Sequence, residues 1–168
     1  MEIKKIYFDM DGVLADFDRG VQEICGLPCQ AQDAVDEETE WQMWNAIREA
    51  GHFYDKLQIA PGAKEMFDAV YEKYGDRCEI LTGIPKPHRG ITTAGEDKTR
   101  WMHRLLAEDI VVNIVYKEQK KHFCTGPDCV LIDDFGENID SWRAFGGTGI
   151  LHRDAQSSME EMRALGIL

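Results

Sequence analysis

Five short apolar runs alternate with amphipathic stretches along most of the chain, and this alternation constrains the fold more than any other feature. The runs are rich in Ile, Val and Leu without regular polar alternation, which is typical of buried parallel strands. They are Ile3–Phe8, Cys78–Leu81, Ile110–Val115, Val130–Ile132 and Gly149–Leu151. Helical patterns follow at Pro61–Tyr74, Glu96–Ala107, Glu137–Phe145 and Ser157–Leu165. The order predicts a doubly wound parallel α/β sheet with right-handed crossovers.

One segment interrupts this alternation. Between Phe17 and about Ile59 there are helical patterns at Asp16–Cys25 and Glu37–Gly51, but no strand signal. The segment is too long for an ordinary connection, and it leaves the core directly after the first strand. Ligands bind at that edge of an open α/β sheet. We therefore predict a small helical cap, residues 17–58, over a core formed by residues 1–16 and 59–168.

Composition excludes several classes of function. The 168 residues carry 19 Lys and Arg against 31 Asp and Glu, a formal charge of −12, which would repel a long nucleic acid or an anionic membrane. No apolar run approaches the roughly 18 residues that a membrane span needs. Five cysteines, an odd number, indicate free thiols in a reducing compartment. We expect a cytoplasmic protein; the oligomeric state is left open.

The first strand ends in two carboxylates spaced by two residues, Asp9 and Asp11, followed by Gly12. Side chains two apart on an extended chain point the same way, and glycine permits a sharp turn after them. Taken alone, such a pair is compatible with a metal ligand, a nucleophile or a helix cap.

Polar residues also end the later strands. Thr82 and Gly83 follow the second strand, where a hydroxyl and free N–H groups could hold an anion or simply cap a helix. Three lysines follow the third strand, and two adjacent acids end the fourth. These residues are Lys117, Lys120 and Lys121, and then Asp133 and Asp134. Carboxylates gathered at one sheet edge would repel one another unless a cation joined them, so the pattern predicts a Mg²⁺ site.

Together these motifs resemble the haloacid dehalogenase superfamily. The resemblance rests on Asp9-Met-Asp11-Gly-Val, Leu81-Thr82-Gly83, Lys120 and Ile132-Asp133-Asp134, in that order along the whole Rossmann-like core. Within the superfamily, Phe8–Phe17, Lys98–Trp101 and the cap after the first strand resemble the 5'(3')-deoxyribonucleotidase family.

The resemblance implies catalytic roles. Asp9 would attack phosphorus and form an aspartyl phosphate, and Asp11 would act as general acid and then general base. Thr82 and the N–H of Gly83 would hold phosphoryl oxygens, and Lys120 would balance their charge, although Lys117 or Lys121 could serve instead.

The resemblance also implies a metal site and a substrate pocket. Mg²⁺ would bind Asp9, the carbonyl oxygen of Asp11 and Asp133, with Asp134 either a further ligand or a partner of the ligands. Gly83 stands where the nucleotidases usually carry Ser, which removes one hydroxyl from the phosphate site.

Two aromatic positions bear on the substrate. Phe17 either stacks on a nucleobase or packs inside the cap. Trp44 is a candidate substrate contact, although the spacing of Trp41, Trp44 and Ile47 favours a stripe that forms the core of the cap.

The sequence therefore predicts a Mg²⁺-dependent phosphomonoesterase that hydrolyses (deoxy)ribonucleoside monophosphates. The alternatives are the same chemistry on another small phosphate ester or on a polynucleotide 3'-phosphate end, and a phospho-accepting receiver module. A receiver carries adjacent acids on its first strand and no cap, whereas this chain carries the adjacent pair, Asp133 and Asp134, on its fourth strand.

Overall fold

The structure is a computed structural model that describes residues 1–28 and 36–168. The described strands are β1 (Lys5–Phe8), β2 (Cys78–Gly83), β3 (Val111–Val115), β4 (Cys129–Asp133) and β5 (Thr148–Leu151). The described α-helices are α1 (Phe17–Cys25), α2 (Glu37–Ala50), α3 (Ala63–Tyr74), α4 (Ala94–Leu105), α5 (Gly136–Ala144) and α6 (Ala155–Ala164). Short 3₁₀ turns lie at Phe53–Lys56 and Lys117–Phe123.

The five strands form one parallel sheet in the order β3-β2-β1-β4-β5, which confirms the doubly wound α/β fold. Every predicted strand is present, with shifted ends. β1 begins two residues later than predicted, at Lys5. β2 extends to Gly83 and β4 to Asp133, because Gly83 pairs with Val115 and Asp133 pairs with Leu151. The polar residues that end these strands thus belong to the sheet itself.

Side chains alternate between the two faces of the sheet, and both faces are covered. The first face carries Phe8 and Ile132 and packs against α3, α4 and α6. The second face carries Tyr7 and Leu131 and packs against Trp142 of α5. This alternation also decides which way each polar residue at the strand ends points.

Two helices, α1 and α2, lie between β1 and α3, where the helical insert was predicted. The segment that leaves the core and the segment that returns to it lie next to each other. The N–H of Asp16 donates to the carbonyl of Gln58 at 2.9 Å, and that of Ala60 donates to the carbonyl of Leu14 at 2.8 Å. The insert is therefore tied to the core at its base. Residues 29–35 of the predicted cap lie outside the described part of the chain.

The interpretation of Trp41 as part of the cap core is wrong. Ile47 is buried at 1% exposure, whereas Trp41 is 61% exposed. Each three-residue step along a helix turns about 300°, so two steps place Trp41 about 120° around α2 from Ile47. Trp44, halfway between them, is partly buried.

No α-helix in the described ranges is long and apolar enough to cross a membrane. The cysteines whose surroundings the structure describes are free thiols, as the sequence predicted; they are Cys25, Cys78, Cys124 and Cys129. Cys29 lies outside the described residues.

Candidate active site

Asp9 and Asp133 meet at the carboxyl edge of the sheet because β1 and β4 are paired in register. Phe8 is opposite Ile132, and the N–H of Asp9 donates to the carbonyl of Ile132 at 2.9 Å. Each carboxylate lies two residues beyond a second-face side chain, so both point to the second face of the sheet. Their side chains are 10% and 0% exposed.

Lys120 lies between these two carboxylates. Its ammonium is 2.9 Å from Asp9 Oδ1 and 2.7 Å from Asp133 Oδ2, and its side chain is almost fully buried. Burial disfavours the charged ammonium, but Asp9 and Asp133 outweigh burial and raise the pKa of Lys120. Of the alternative lysines, Lys117 lines the adjoining cleft, whereas Lys121 does not.

A third carboxylate, Asp134, completes a group with the oxygen donors that a hard cation prefers. One oxygen from each of Asp9, Asp133 and Asp134 lies within 4.8 Å of the others. Burial and the neighbouring charges of Asp9, Asp133 and Asp11 raise the pKa of Asp134 to about 8. A buried group that resists ionisation in this way fits a divalent cation.

Gly12 makes room for Asp134. Its φ is +79°, and a Cβ at this position would lie 2.1 Å from Asp134 Oδ2. Both the backbone conformation and the contact require glycine here. The turn after the first strand is therefore shaped around the Asp134 carboxylate.

Asn138 is a site residue that the sequence did not reveal. Its Nδ2 donates to Asp133 Oδ2 at 3.1 Å, while the N–H of Phe135 donates to Asp133 Oδ1 at 2.9 Å. These donors fix the orientation of a carboxylate whose pKa is raised by burial and by Asp9. An Asn in the first turn of a helix that follows paired acids is the signal that could have identified it.

Asp11 points away from this group, towards a second buried lysine. Lys98 on α4 donates to Asp11 Oδ2 at 2.8 Å, to the carbonyl of Gly83 at 2.6 Å and to the hydroxyl of Thr82 at 3.0 Å. The ammonium lies 4.5 Å from the centre of the Tyr54 ring. Asp11 Oδ1 is buried and has no hydrogen-bond partner among the described residues.

Lys98 belongs to the motif Lys98–Trp101, but the sequence did not predict a role for it. It is fully buried, although lysine is rarely so, and it precedes the buried pair Trp101 and Met102 by three and four residues. That spacing places Lys98 on the buried face of α4. A lysine on the apolar stripe of a helix is the signal that was available.

Thr82 lies on the opposite face of the sheet from Asp9. It follows the first-face residue Ile80 by two positions, is fully buried and contacts Lys98. Gly83, but not Thr82, borders the open cleft. Because the Thr82 hydroxyl accepts from Lys98, it keeps its own hydrogen for another acceptor.

The carboxylates form the floor of a cleft of about 520 Å³ between the core and the insert. Phe17 lines this cleft and packs edge-on against Phe53, with 5.6 Å between the ring centres. The sequence left open whether Phe17 packs inside the insert or faces a substrate. In the structure its ring packs inside the insert on one side, and the residue still borders the cleft.

Trp44 also lines the cleft. Its indole N–H donates to Glu40 at 3.4 Å, and the guanidinium of Arg89 lies 5.8 Å from its ring centre. Arg89 in turn pairs with Glu40 at 3.3 Å. These contacts join α2 to the loop after β2 across the mouth of the cleft.

Three solved structures with a similar fold are named as hydrolases of the haloacid dehalogenase type. A haloacid dehalogenase-like family hydrolase from Streptococcus pneumoniae matches with a TM-score of 0.58 at 12% identity, over 95% of this chain and 90% of that chain. A haloacid dehalogenase family hydrolase from Deinococcus radiodurans R1, solved with bound phosphate and sodium, matches with a TM-score of 0.56 at 17% identity, over 99% and 97%. A superfamily hydrolase from Ehrlichia chaffeensis matches with a TM-score of 0.54 at 15% identity, over 98% of both chains.

These structural matches show that the chain has the fold of the haloacid dehalogenase-like hydrolases. No protein-family model matches the chain, and no curated protein matches its sequence.

Proposed function

We propose that this protein is a Mg²⁺-dependent phosphomonoesterase that hydrolyses nucleoside monophosphates through an aspartyl phosphate. The observation that carries the proposal is the position of Asp9. Its carboxylate lies on the floor of the cleft, beside one ammonium group and two further carboxylates. A nucleophile held in this way can meet a phosphate that enters from the cleft.

In the proposed reaction Asp9 attacks the phosphorus, and the bond to the ester oxygen breaks. Lys120, 2.9 Å from Asp9, balances negative charge on the nucleophile and on the transferring phosphoryl group. Water then attacks the phosphorus of the aspartyl phosphate, which releases inorganic phosphate and restores Asp9.

Asp11 is the proposed general acid and base. It gives a proton to the leaving alkoxide and later takes one from the attacking water. Lys98 holds Asp11 Oδ2 at 2.8 Å and leaves Oδ1 without a protein partner in the described residues, so Oδ1 is the oxygen available for proton transfer.

Asp9, Asp133 and Asp134 are the side chains that would hold Mg²⁺, together with the carbonyl oxygen of Asp11. The bound cation would reduce the repulsion between an anionic nucleophile and an anionic substrate. The clustering of their oxygen atoms and the raised pKa of Asp134 support this assignment.

The walls of the cleft support a substrate with a flat, largely uncharged group beyond the phosphate. Phe17 and Trp44 supply aromatic surface, and Arg89 at the mouth is paired with Glu40. Lys86 is likewise paired, at 2.9 Å from Glu118. Since these two cations are already neutralised, a nucleoside suits the outer cleft better than a second phosphate.

The test is phosphate release from a panel of nucleotides, sugar phosphates and 3'-phosphorylated oligonucleotides, with and without Mg²⁺. We expect turnover of nucleotides and a loss of about 10³-fold or more in kcat for Asp9→Asn and for Asp11→Asn. Equal rates for wild type and Asp9→Asn would exclude the mechanism.

The same panel separates the alternative functions. Turnover of sugar phosphates alone, or of oligonucleotide ends alone, would keep the chemistry and change the substrate. A stable phosphoryl adduct without turnover would indicate a receiver module. Acid quenching and mass measurement of the intact protein detect such an adduct.

A further inference from the structure

The end of the insert contains a strained residue whose side chain is held by the core. His52 follows α2 with a φ of +51°, and it is the one non-glycine residue with positive φ in the described ranges. Such a conformation is uncommon for a residue with a side chain and costs free energy. A strained residue persists where the surrounding contacts fix it.

The contact that fixes His52 is a buried carboxylate on α4. The Nδ1 of His52 lies 2.9 Å and 3.2 Å from the two oxygens of Asp97, which is 1% exposed. Thr93 donates to the same carboxylate at 2.8 Å and Arg100 at 3.1 Å. A buried carboxylate with three donors holds each of them tightly in place.

Asp97 is the residue directly before Lys98, and the turn that begins with His52 also carries Tyr54. The ring of Tyr54 lies 4.5 Å from the Lys98 ammonium. The turn therefore touches α4 at two consecutive residues, at Asp97 through the imidazole and at Lys98 through the aromatic ring. The Tyr54 contact is with the ammonium that holds Asp11, and the His52 contact is with the residue next to Lys98 in the chain.

We propose that His52 and Asp97 are positioning residues: their contact fixes the first turn of α4, so that Lys98 holds the Asp11 carboxylate in its working orientation. The inference deepens the proposed function and rests on it for its effect on turnover. It also explains why a strained backbone is kept at His52: a displacement of the Asp11 carboxylate by about 1 Å can cost up to about a hundredfold in rate.

The test compares two substitutions at one position. Glycine adopts a φ of +51° without strain but offers no side chain, so His52→Gly removes the contact and relieves the backbone. Asparagine also tolerates this conformation, and its Nδ2 occupies nearly the place of the imidazole Nδ1. If His52 served only to stabilise the fold, His52→Gly would lower the unfolding temperature and leave the kcat of the folded protein unchanged.

We expect His52→Gly to unfold within a few degrees of wild type while kcat falls about tenfold and KM changes less than twofold. His52→Asn should restore kcat to within about threefold of wild type. Arg104→Ala is the matched control, since Arg104 ties α4 to Asp55 of the same turn at 2.9 Å, farther from Lys98. A loss of kcat in Arg104→Ala equal to that in His52→Gly would overturn the inference, because general loosening would then suffice.

Nitrogen-15 NMR of the buried Lys98 ammonium supplies a readout that does not depend on activity. We expect its resonance to move in His52→Gly and to return in His52→Asn. An unchanged resonance, or a moved resonance with unchanged kcat, overturns the inference and leaves the proposed function intact. Failure of the wild-type protein to release phosphate from any ester overturns the proposed function and, with it, the effect on turnover, while the resonance still tests the contact itself.

Discussion

The two halves of the candidate site lie on opposite faces of the sheet edge, and each contains a buried lysine. On the second face Lys120 joins Asp9 and Asp133, which are 10% and 0% exposed. On the first face Lys98 joins Asp11, whose side chain is 24% exposed, and it also binds the Thr82 hydroxyl. One lysine thus compensates two enclosed carboxylates, and the other compensates one that still reaches water.

This difference matches the two tasks that the proposed phosphatase reaction requires. The half around Asp9 concentrates negative charge and needs cations to fold, so it is suited to bind a metal and an anion. The half around Asp11 leaves one carboxylate oxygen without a hydrogen-bond partner among the described residues, so it is suited to exchange a proton. The following predictions test whether the halves differ as their burial implies.

The largest effect is expected for Lys120→Met. The substitution leaves Asp9 and Asp133 without their shared cation, and breaking a buried pair in this way costs about 3–5 kcal/mol. Urea denaturation of metal-free protein at pH 7 measures the loss, and added Mg²⁺ should recover part of it. Lys121→Met is the control and should cost less than about 1 kcal/mol. A similar cost for both substitutions would contradict the role of Lys120 as the shared cation of Asp9 and Asp133.

Lys98→Met should cost less, about 2 kcal/mol, because water can partly solvate Asp11 once the ammonium is gone. The residual cost comes from Thr82 and the carbonyl of Gly83, which also lose their donor. The same denaturation experiment applies, with Lys64→Met as the exposed control on α3. A cost equal to or greater than that of Lys120→Met would reverse the comparison.

The two halves also differ in how far the sequence reveals them. Asp9 and Asp133 end buried apolar runs, and such a position has few explanations apart from function, so both could be predicted. Their partner Lys120 was chosen from three lysines by its place in the motif order alone. Lys120 is buried within the 3₁₀ turn at Lys117–Phe123. This turn has no repeat of apolar residues from which its burial could be predicted.

On the first face, the contact between Lys98 and Asp11 was hidden because Lys98 lies on a helix and not at the end of a strand. Its contact depends on how α4 packs against the sheet. The His52 contact depends on a backbone conformation that favours glycine, and no residue pattern announces it. Alternation along β2 could have shown that Thr82 points away from Asp9, since Ile80 and Thr82 share a face.

Gly12→Ala tests the link between the halves, since Gly12 directly follows Asp11 and contacts Asp134. A Cβ would lie 2.1 Å from Asp134 Oδ2, and the left-handed φ adds about 1–2 kcal/mol of strain. We expect Mg²⁺ affinity, measured by calorimetry, to fall about 10- to 100-fold. Gly136→Ala is the control, because no atom lies within 4 Å of a Cβ there. Unchanged affinity in Gly12→Ala would separate Asp134 from the metal site.

The smallest effect concerns pH and belongs to the half around Asp9. The pKa of Asp134 rises from its ordinary value of 3.8 to about 8, so between these values the folded protein keeps a proton that the unfolded chain has lost. Asp134 should therefore contribute a fall in the free energy of unfolding of metal-free protein as pH rises through this window, of about 1 kcal/mol from pH 6 to pH 7. Burial lowers the pKa of His152, which contributes in the opposite direction, so the Asp134 contribution is read as the difference from Asp134→Asn. Urea denaturation at the two pH values measures the slope.

Asp134→Asn should flatten this slope, because the amide does not titrate. Asp154→Asn is the control: hydrogen bonds from the Ser157 N–H and hydroxyl lower the pKa of Asp154, so its titration is complete well below pH 6 and the slope should stay as in wild type. Mg²⁺ should also flatten the slope, because a bound cation favours the ionised carboxylate in the folded protein. A slope that survives Asp134→Asn would mean that a group other than Asp134 keeps the proton in the folded protein. Asp134 would then be ionised beside Asp9 and Asp133.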